Sequence, residues 1–244
     1  MLHLARKVIG SPIRAVDGDI GTLEDFYFDD ERWVVRYLVV DTGGWLGGRR
    51  VVISPMSVQP PWDKAGIPVR LTRTQVENSP AVDLAAPLTR SGEVQVLGYY
   101  GYPYYWGATN VWGTFDNPGA LVMAPATELV QVSGEFADDG GPALRSIRDS
   151  TGYHLHAVDG EIGHVDDFLV DETDWRIHHL LVDTSNWIGG RSVVIPCDTV
   201  RRVDADREML HVAATREAIE RAPSFSQIED AVNVAETGAP FTII

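Results

Sequence analysis

Residues 15–53 read AVDGDIGTLEDFYFDDERWVVRYLVVDTGGWLGGRRVVI, and residues 157–195 read AVDGEIGHVDDFLVDETDWRIHHLLVDTSNWIGGRSVVI. The two stretches align without a gap at a constant offset of 142, and 21 of the 39 positions are identical. Identity at that level marks two copies of one folding unit. Each copy carries the punctuation of a small antiparallel sheet. Asp17-Gly18 is a tight-turn dipeptide, and Asp29-Asp30-Glu31-Arg32 is a second polar turn. Strands are predicted over residues 12–16, 20–28, 33–40, 49–53 and 67–71, with a glycine-rich connection, Gly43-Gly44-Trp45-Leu46-Gly47-Gly48, before the fourth.

Thr72-Arg73-Thr74-Gln75 has the spacing of a capping box, in which side chains and backbone at a helix start satisfy one another. It predicts a short helix that Asn78-Ser79-Pro80 ends. The second copy repeats the device over residues 215–223, shifted by one inserted residue and without the glutamine. The fold class expected is mainly β: two small antiparallel barrels in tandem, sheathed by short helices. Closure is expected because so small a sheet would otherwise leave bare edges. The domain boundaries expected are 1–80, a connector 81–143, 144–223 and a tail 224–244.

The 244 residues carry a net charge of −15, with only two lysines, Lys7 and Lys64. A phosphate backbone would be repelled by such a surface unless a local basic patch outweighed it, so nucleic acid is not an expected partner. Cys197 is the only cysteine, which precludes an intrachain disulfide and suits a reducing compartment. No stretch approaches the roughly 20 apolar residues of a membrane helix. The expected location is the cytoplasm, or the periphery of a membrane complex, without direct insertion.

The VDG(D/E)IG turn, the acidic turn before a tryptophan, the (L/V)VD strand end and the VVI(S/P) strand resemble the PRC-barrel family. The similarity spans about residues 2–80 and 144–223 and is anchored on Asp17-Gly18-Asp19-Ile20-Gly21 and Asp159-Gly160-Glu161-Ile162-Gly163. That domain is named for the cytoplasmic part of the photosynthetic reaction centre H subunit, and a related barrel lies in a ribosomal small-subunit maturation factor. The stretch YYGYPYYWG also resembles the aromatic segment of stand-alone bacterial PRC-barrel proteins. The resemblance implies a small barrel used for assembly and protein contact, with no catalytic centre carried over.

The candidate chemistry is sparse. Asp17, Asp19, Asp159 and Glu161 read as turn formers, since their spacing fails the alternating ligand pattern of a calcium loop. Six of the seven histidines fall in the second copy. His154 and His156 share a strand face and are the candidates for a metal, but no cysteine cluster or HExxH spacing supports one. Cys197, after Pro196, reads as a buried inert thiol. Asp41 with Arg49, and Asp183 with Arg191, are expected to form ion pairs closing the glycine-rich loop. No cofactor is expected.

The strongest interaction candidates are Tyr99, Tyr100, Tyr102, Tyr104, Tyr105, Trp106 and Trp112. Aromatics of this kind either cover a barrel or form a contact surface, because they bury large area while keeping one polar atom. The leading expectation is a non-enzymatic interaction or assembly module whose partners are proteins, a second copy of the chain among them. The alternatives are an accessory of a photosynthetic membrane complex that tunes electron or proton transfer, and a ligand- or metal-binding sensor.

Overall fold

A computed structural model of the chain describes residues 1–81, 88–107, 109–125, 144–184 and 190–226. In chain order its first half supplies β1 (Leu2–Leu4), α1 (Ala5–Val8), β2 (Pro12–Ala15), β3 (Gly18–Asp29), β4 (Val34–Asp41), β5 (Arg50–Ile53) and β6 (Ile67–Pro68). There follow α2 (Arg73–Glu77), α3 (Arg90–Tyr100) and α4 (Pro118–Met123). The second half supplies β7 (Leu144–Ser146), α5 (Ile147–Ser150), β8 (His154–Ala157), β9 (Gly160–Asp171), β10 (Ile177–Asp183), β11 (Ser192–Pro196), β12 (Val200–Asp204), β13 (Met209–Val212) and α6 (Arg216–Glu220).

Two compact units form, and each draws on both halves of the sequence. The repeat-1 unit comprises residues 7–148 and 172–176; the repeat-2 unit comprises residues 1–6, 149–171 and 177 onward. In the repeat-1 unit the strand order is β5-β4-β3-β2-β6, with β7 on β3. In the repeat-2 unit it is β11-β10-β9-β8-β13-β12, with β1 on β9. Pairing is antiparallel except for β2 with β6 and β8 with β13.

The motif glycine fixes how these sheets curl. Gly21 and Gly163 have φ of 140° and 80°, and a Cβ at either would lie 2.1 or 2.0 Å from the carbonyl oxygen of Asp41 or Asp183. Only glycine permits that close approach between the long strand and its neighbour's end. The acidic turn works similarly in both copies, with Trp33 and Trp175 in the left-handed region at φ 53° and 64°. Asp29 holds its turn by accepting from the N–H groups of Glu31 and Arg32, each at 3.0 Å.

The mainly β class is as expected, but among the described residues the ladders do not close either sheet into a barrel. Among the described residues, the end strands β11 and β12 share no ladder. The chain itself joins them, through a single 3₁₀ turn at Cys197–Thr199. In the repeat-1 unit β5 runs into a 3₁₀ turn at Pro55–Ser57, after which Val58 bridges Val69. Among the described residues, a chain corner rather than a ladder joins the two ends of each sheet. The capping box is present as expected: Thr72 accepts from the Gln75 N–H and Gln75 accepts from the Thr72 N–H. Thr215 caps α6 without the box. The expected tail beyond residue 226, and residues 82–87 and 126–143 of the connector, lie outside the described residues.

Candidate interaction surface

Strand β4 is buried along nearly its whole length, whereas its equivalent β10 leaves His178 exposed and His179 half-buried. The difference lies in two residues. Arg36 and Tyr37 stand where the second copy has His178 and His179. Arg36 is 1% exposed, and it donates to Asp29 at 3.1 Å and to the carbonyl of Val111. Its guanidinium carbon lies 3.9 Å from the ring centroid of Tyr105 and 4.9 Å from that of Trp112. Such stacking suits the planar guanidinium, which sheds water more readily than an ammonium.

Glu93 of α3 completes the core of this contact. It accepts from the Tyr37 hydroxyl at 3.1 Å, from the Tyr105 hydroxyl, and from Arg90 at 2.9 Å. Burial pushes its carboxyl above the ordinary glutamate range, against the opposing pull of Arg90, the two tyrosine hydrogen bonds and Arg36. Burial also raises Tyr37 and Tyr105 well above ordinary tyrosine, with the Glu93 charge adding to the rise. Apart from the Arg36 Nε, which is buried without a hydrogen-bond partner, the charged and hydroxyl groups of this interior answer one another, which is the condition for keeping charge away from water.

The seven aromatic candidates therefore divide. Tyr105 and Trp112 are interior, and the indole N–H of Trp112 donates to the Asp174 carbonyl at 2.7 Å. Of the two roles left open for the aromatic stretch, these two rings take the interior one. Tyr99 is exposed, and Tyr100, Tyr102, Tyr104 and Trp106 are half-buried. Tyr100 stacks on Tyr102 with centroids 5.9 Å apart and meets Tyr99 edge-on at 4.9 Å. Tyr104 stacks on Trp106 at 4.7 Å, and Arg90 lies 4.1 Å from the Trp106 ring. Two of the hydroxyls are anchored: Tyr99 donates to the Gln75 carbonyl at 2.8 Å, and Tyr102 bonds Ser57 at 3.0 Å. Burial pushes Tyr100 up to about 12. Sequence reasoning missed Arg36, Glu93 and Arg90. The available signal was the replacement of Arg36 and Tyr37 by His178 and His179 ahead of a strand end, LVVD against LLVD, that is repeated.

The acidic turns are structural. Asp17 accepts from the Arg73 N–H at 2.8 Å, and Asp159 does the same for Arg216 at 2.8 Å, so the motif aspartate caps the distant helix in each copy. That bond holds the Asp159 carboxyl below the usual range. Asp19 and Glu161 are exposed, and His154 contacts Glu161 at 2.7 Å. The expected ion pairs across the glycine-rich loop are corrected. Arg49 donates to the carbonyls of Glu77 and Ser79, and Arg191 to those of Glu220 and Ala222, at the C-terminal ends of α2 and α6. Those orphan carbonyls carry the negative end of the helix dipole and draw the cation there. Asp41 accepts instead from the Gly43 N–H at 2.8 Å.

The histidines do not converge on one point. His156 faces His211 with centroids 5.3 Å apart, and His164 lies 3.8 Å from Asp183. Among the described residues, no three or more of His, Cys, Asp and Glu are placed to hold a metal ion. Burial lowers the pKa of His179. Cys197 is buried. Among the described residues, no helix is long and apolar enough to cross a membrane.

The profile of the PRC-barrel domain matches the chain twice, over residues 2–65 and 155–219. No curated protein matches it.

Proposed function

The chain belongs to the PRC-barrel family, and we propose that it is a non-enzymatic assembly module that binds other proteins through Tyr99, Tyr100, Tyr102, Tyr104 and Trp106. The observation that carries this reading is the pre-set geometry of those rings. Two stacked pairs are pinned by hydrogen bonds and by Arg90, with part of each ring left open to solvent. Side chains ordered before a partner arrives lose less freedom on binding, and tyrosine and tryptophan dominate such contacts. The titratable groups behind them, Glu93, Tyr37, Tyr105 and Arg36, are engaged with one another and closed to solvent. They act as a scaffold for the surface rather than as a reaction centre.

Cross-linking in extracts of the native host tests the reading. The chain is expected to yield defined adducts that vanish in a Tyr104→Ala, Trp106→Ala double variant of unchanged fold. Adducts that persist in that variant overturn it, as does turnover of a small molecule abolished by a single substitution.

A further inference from the structure

Leu2–Leu4 and Leu144–Ser146 hold the same place in the repeat, yet neither pairs with the long strand of its own copy. β1 runs antiparallel to the far end of β9, with Leu2 opposite Asp171, His3 opposite Val170 and Leu4 opposite Leu169. β7 runs along β3 with Leu144 opposite Asp29, Arg145 opposite Phe28 and Ser146 opposite Tyr27. The offset of 142 converts one register into the other at every position. The flanking contacts repeat as well. The Arg6 N–H donates to Asp167 at 3.2 Å, and its guanidinium donates to Asp166 at 2.7 Å. The Arg148 N–H donates to Asp25 at 3.1 Å, and its guanidinium to Glu24 at 3.1 Å. The repeat therefore encodes both the exchanged segment and the edge that receives it.

Leu4 is buried with Leu169, Leu181 and Val194, and Phe225 packs against the group. Removing such an apolar side chain from water favours the docked segment. A strand edge left open presents unpaired N–H and C=O groups that recruit another strand. The docked residues recognise sequence and register, and none of these contacts involves residues 9–11, which tie the segment to its own chain. That short tie gives the chain's own segment an effective concentration of about a millimolar, so dilute chains dock on themselves.

We propose that the edge at residues 169–171, with Asp166 and Asp167, is an acceptor for the N-terminal segment of a second copy of this chain, and that chains link by trading Met1–Arg6. The trade gives the assembly reading a specific partner. It rests on that reading for its role but not for its geometry, and loss of the aromatic surface leaves it untouched.

A labelled peptide of residues 1–11 tests the site on the full chain carrying Leu4→Asp, which vacates the edge. The peptide is expected to bind this variant about tenfold or more tighter than the unaltered chain, whose own segment competes. An Arg6→Glu peptide is expected to bind more weakly. Equal binding to both chains, with the variant folded by circular dichroism, overturns the proposal. Should Leu4→Asp not fold, unaltered chains in heavy and light isotopes are unfolded and refolded together at rising concentration and weighed by native mass spectrometry. Mixed dimers that grow with concentration support the exchange, and monomers throughout sink it.

Discussion

The guanidinium carbon of Arg36 lies 3.9 Å from the ring centroid of Tyr105, and both side chains are interior. This contact decides which copy the aromatic connector covers, because the second copy has His178 at the corresponding place. Arg36→Met is expected to destabilise the chain by about 3–5 kcal/mol, since it strands the Asp29 carboxylate inside the fold. Arg36→Lys should cost less, keeping the charge but losing the planar stack. Urea unfolding measures both. A loss under about 1 kcal/mol for the methionine variant would show that the connector is held elsewhere.

Glu93 answers two hydroxyls and one arginine at once. Glu93→Ala leaves all three without their acceptor and is expected to cost about 3–5 kcal/mol. Glu93→Gln keeps an acceptor and should cost less, but it also removes a titration. Because burial raises this carboxyl in the folded state, the folded protein holds the proton more tightly than the unfolded chain. Its contribution is full at acid pH and fades as pH rises through the raised value. The glutamine variant should therefore lose part of the decline in stability with pH, as followed by thermal melts across the acid range.

Asp167 gives a second titration with a defined window. Burial pushes its carboxyl up to about 6, with hydrogen bonds from Phe168 and Arg6 and the Arg6 charge pulling the other way. An unfolded aspartate titrates near 4. Stability from this group is thus present below about pH 4 and lost as pH climbs through about 6, at no more than about 1.4 kcal/mol per pH unit. Asp167→Asn should flatten that interval. Parallel melting curves for the two proteins from acid to neutral pH would contradict the assignment.

The repeat, its strands and both helix starts were legible because each depends on local signals: the Asp-Gly turns, the acidic turn before tryptophan, and Thr72 with Gln75. The role of Asp17 was half legible. Its turn could be read, but its bond to the Arg73 N–H joins residues far apart in sequence. Arg49 misled for the same reason, since a nearby carboxylate was the obvious partner and the helix-end carbonyls were not. Periodicity says which face of Leu2–Leu4 is buried, but not whose edge it covers, so the exchange of β1 and β7 left no trace in one copy read alone. Among the aromatics, composition could not separate Tyr105 from its neighbour Tyr104. Burial depends on Arg36 and Glu93 waiting beneath one ring and not the other.

The glycines supply a last contrast, between positions that sequence alone treats alike. An alanine at Gly21 or Gly163 would drive its methyl group to about 2 Å from a backbone carbonyl oxygen, of Asp41 or of Asp183. No rotamer change relieves a clash with backbone, and φ is positive at both sites. Each substitution is expected to destabilise by roughly 2–4 kcal/mol. Gly44, in the glycine-rich loop, has open space where an added methyl would sit and no positive φ, so Gly44→Ala should stay within about 0.5 kcal/mol of the parent. Denaturant midpoints of the three variants measure the difference. Similar values for Gly44→Ala and Gly21→Ala would mean that the long strand does not approach its neighbour's end as closely as 2.1 Å requires.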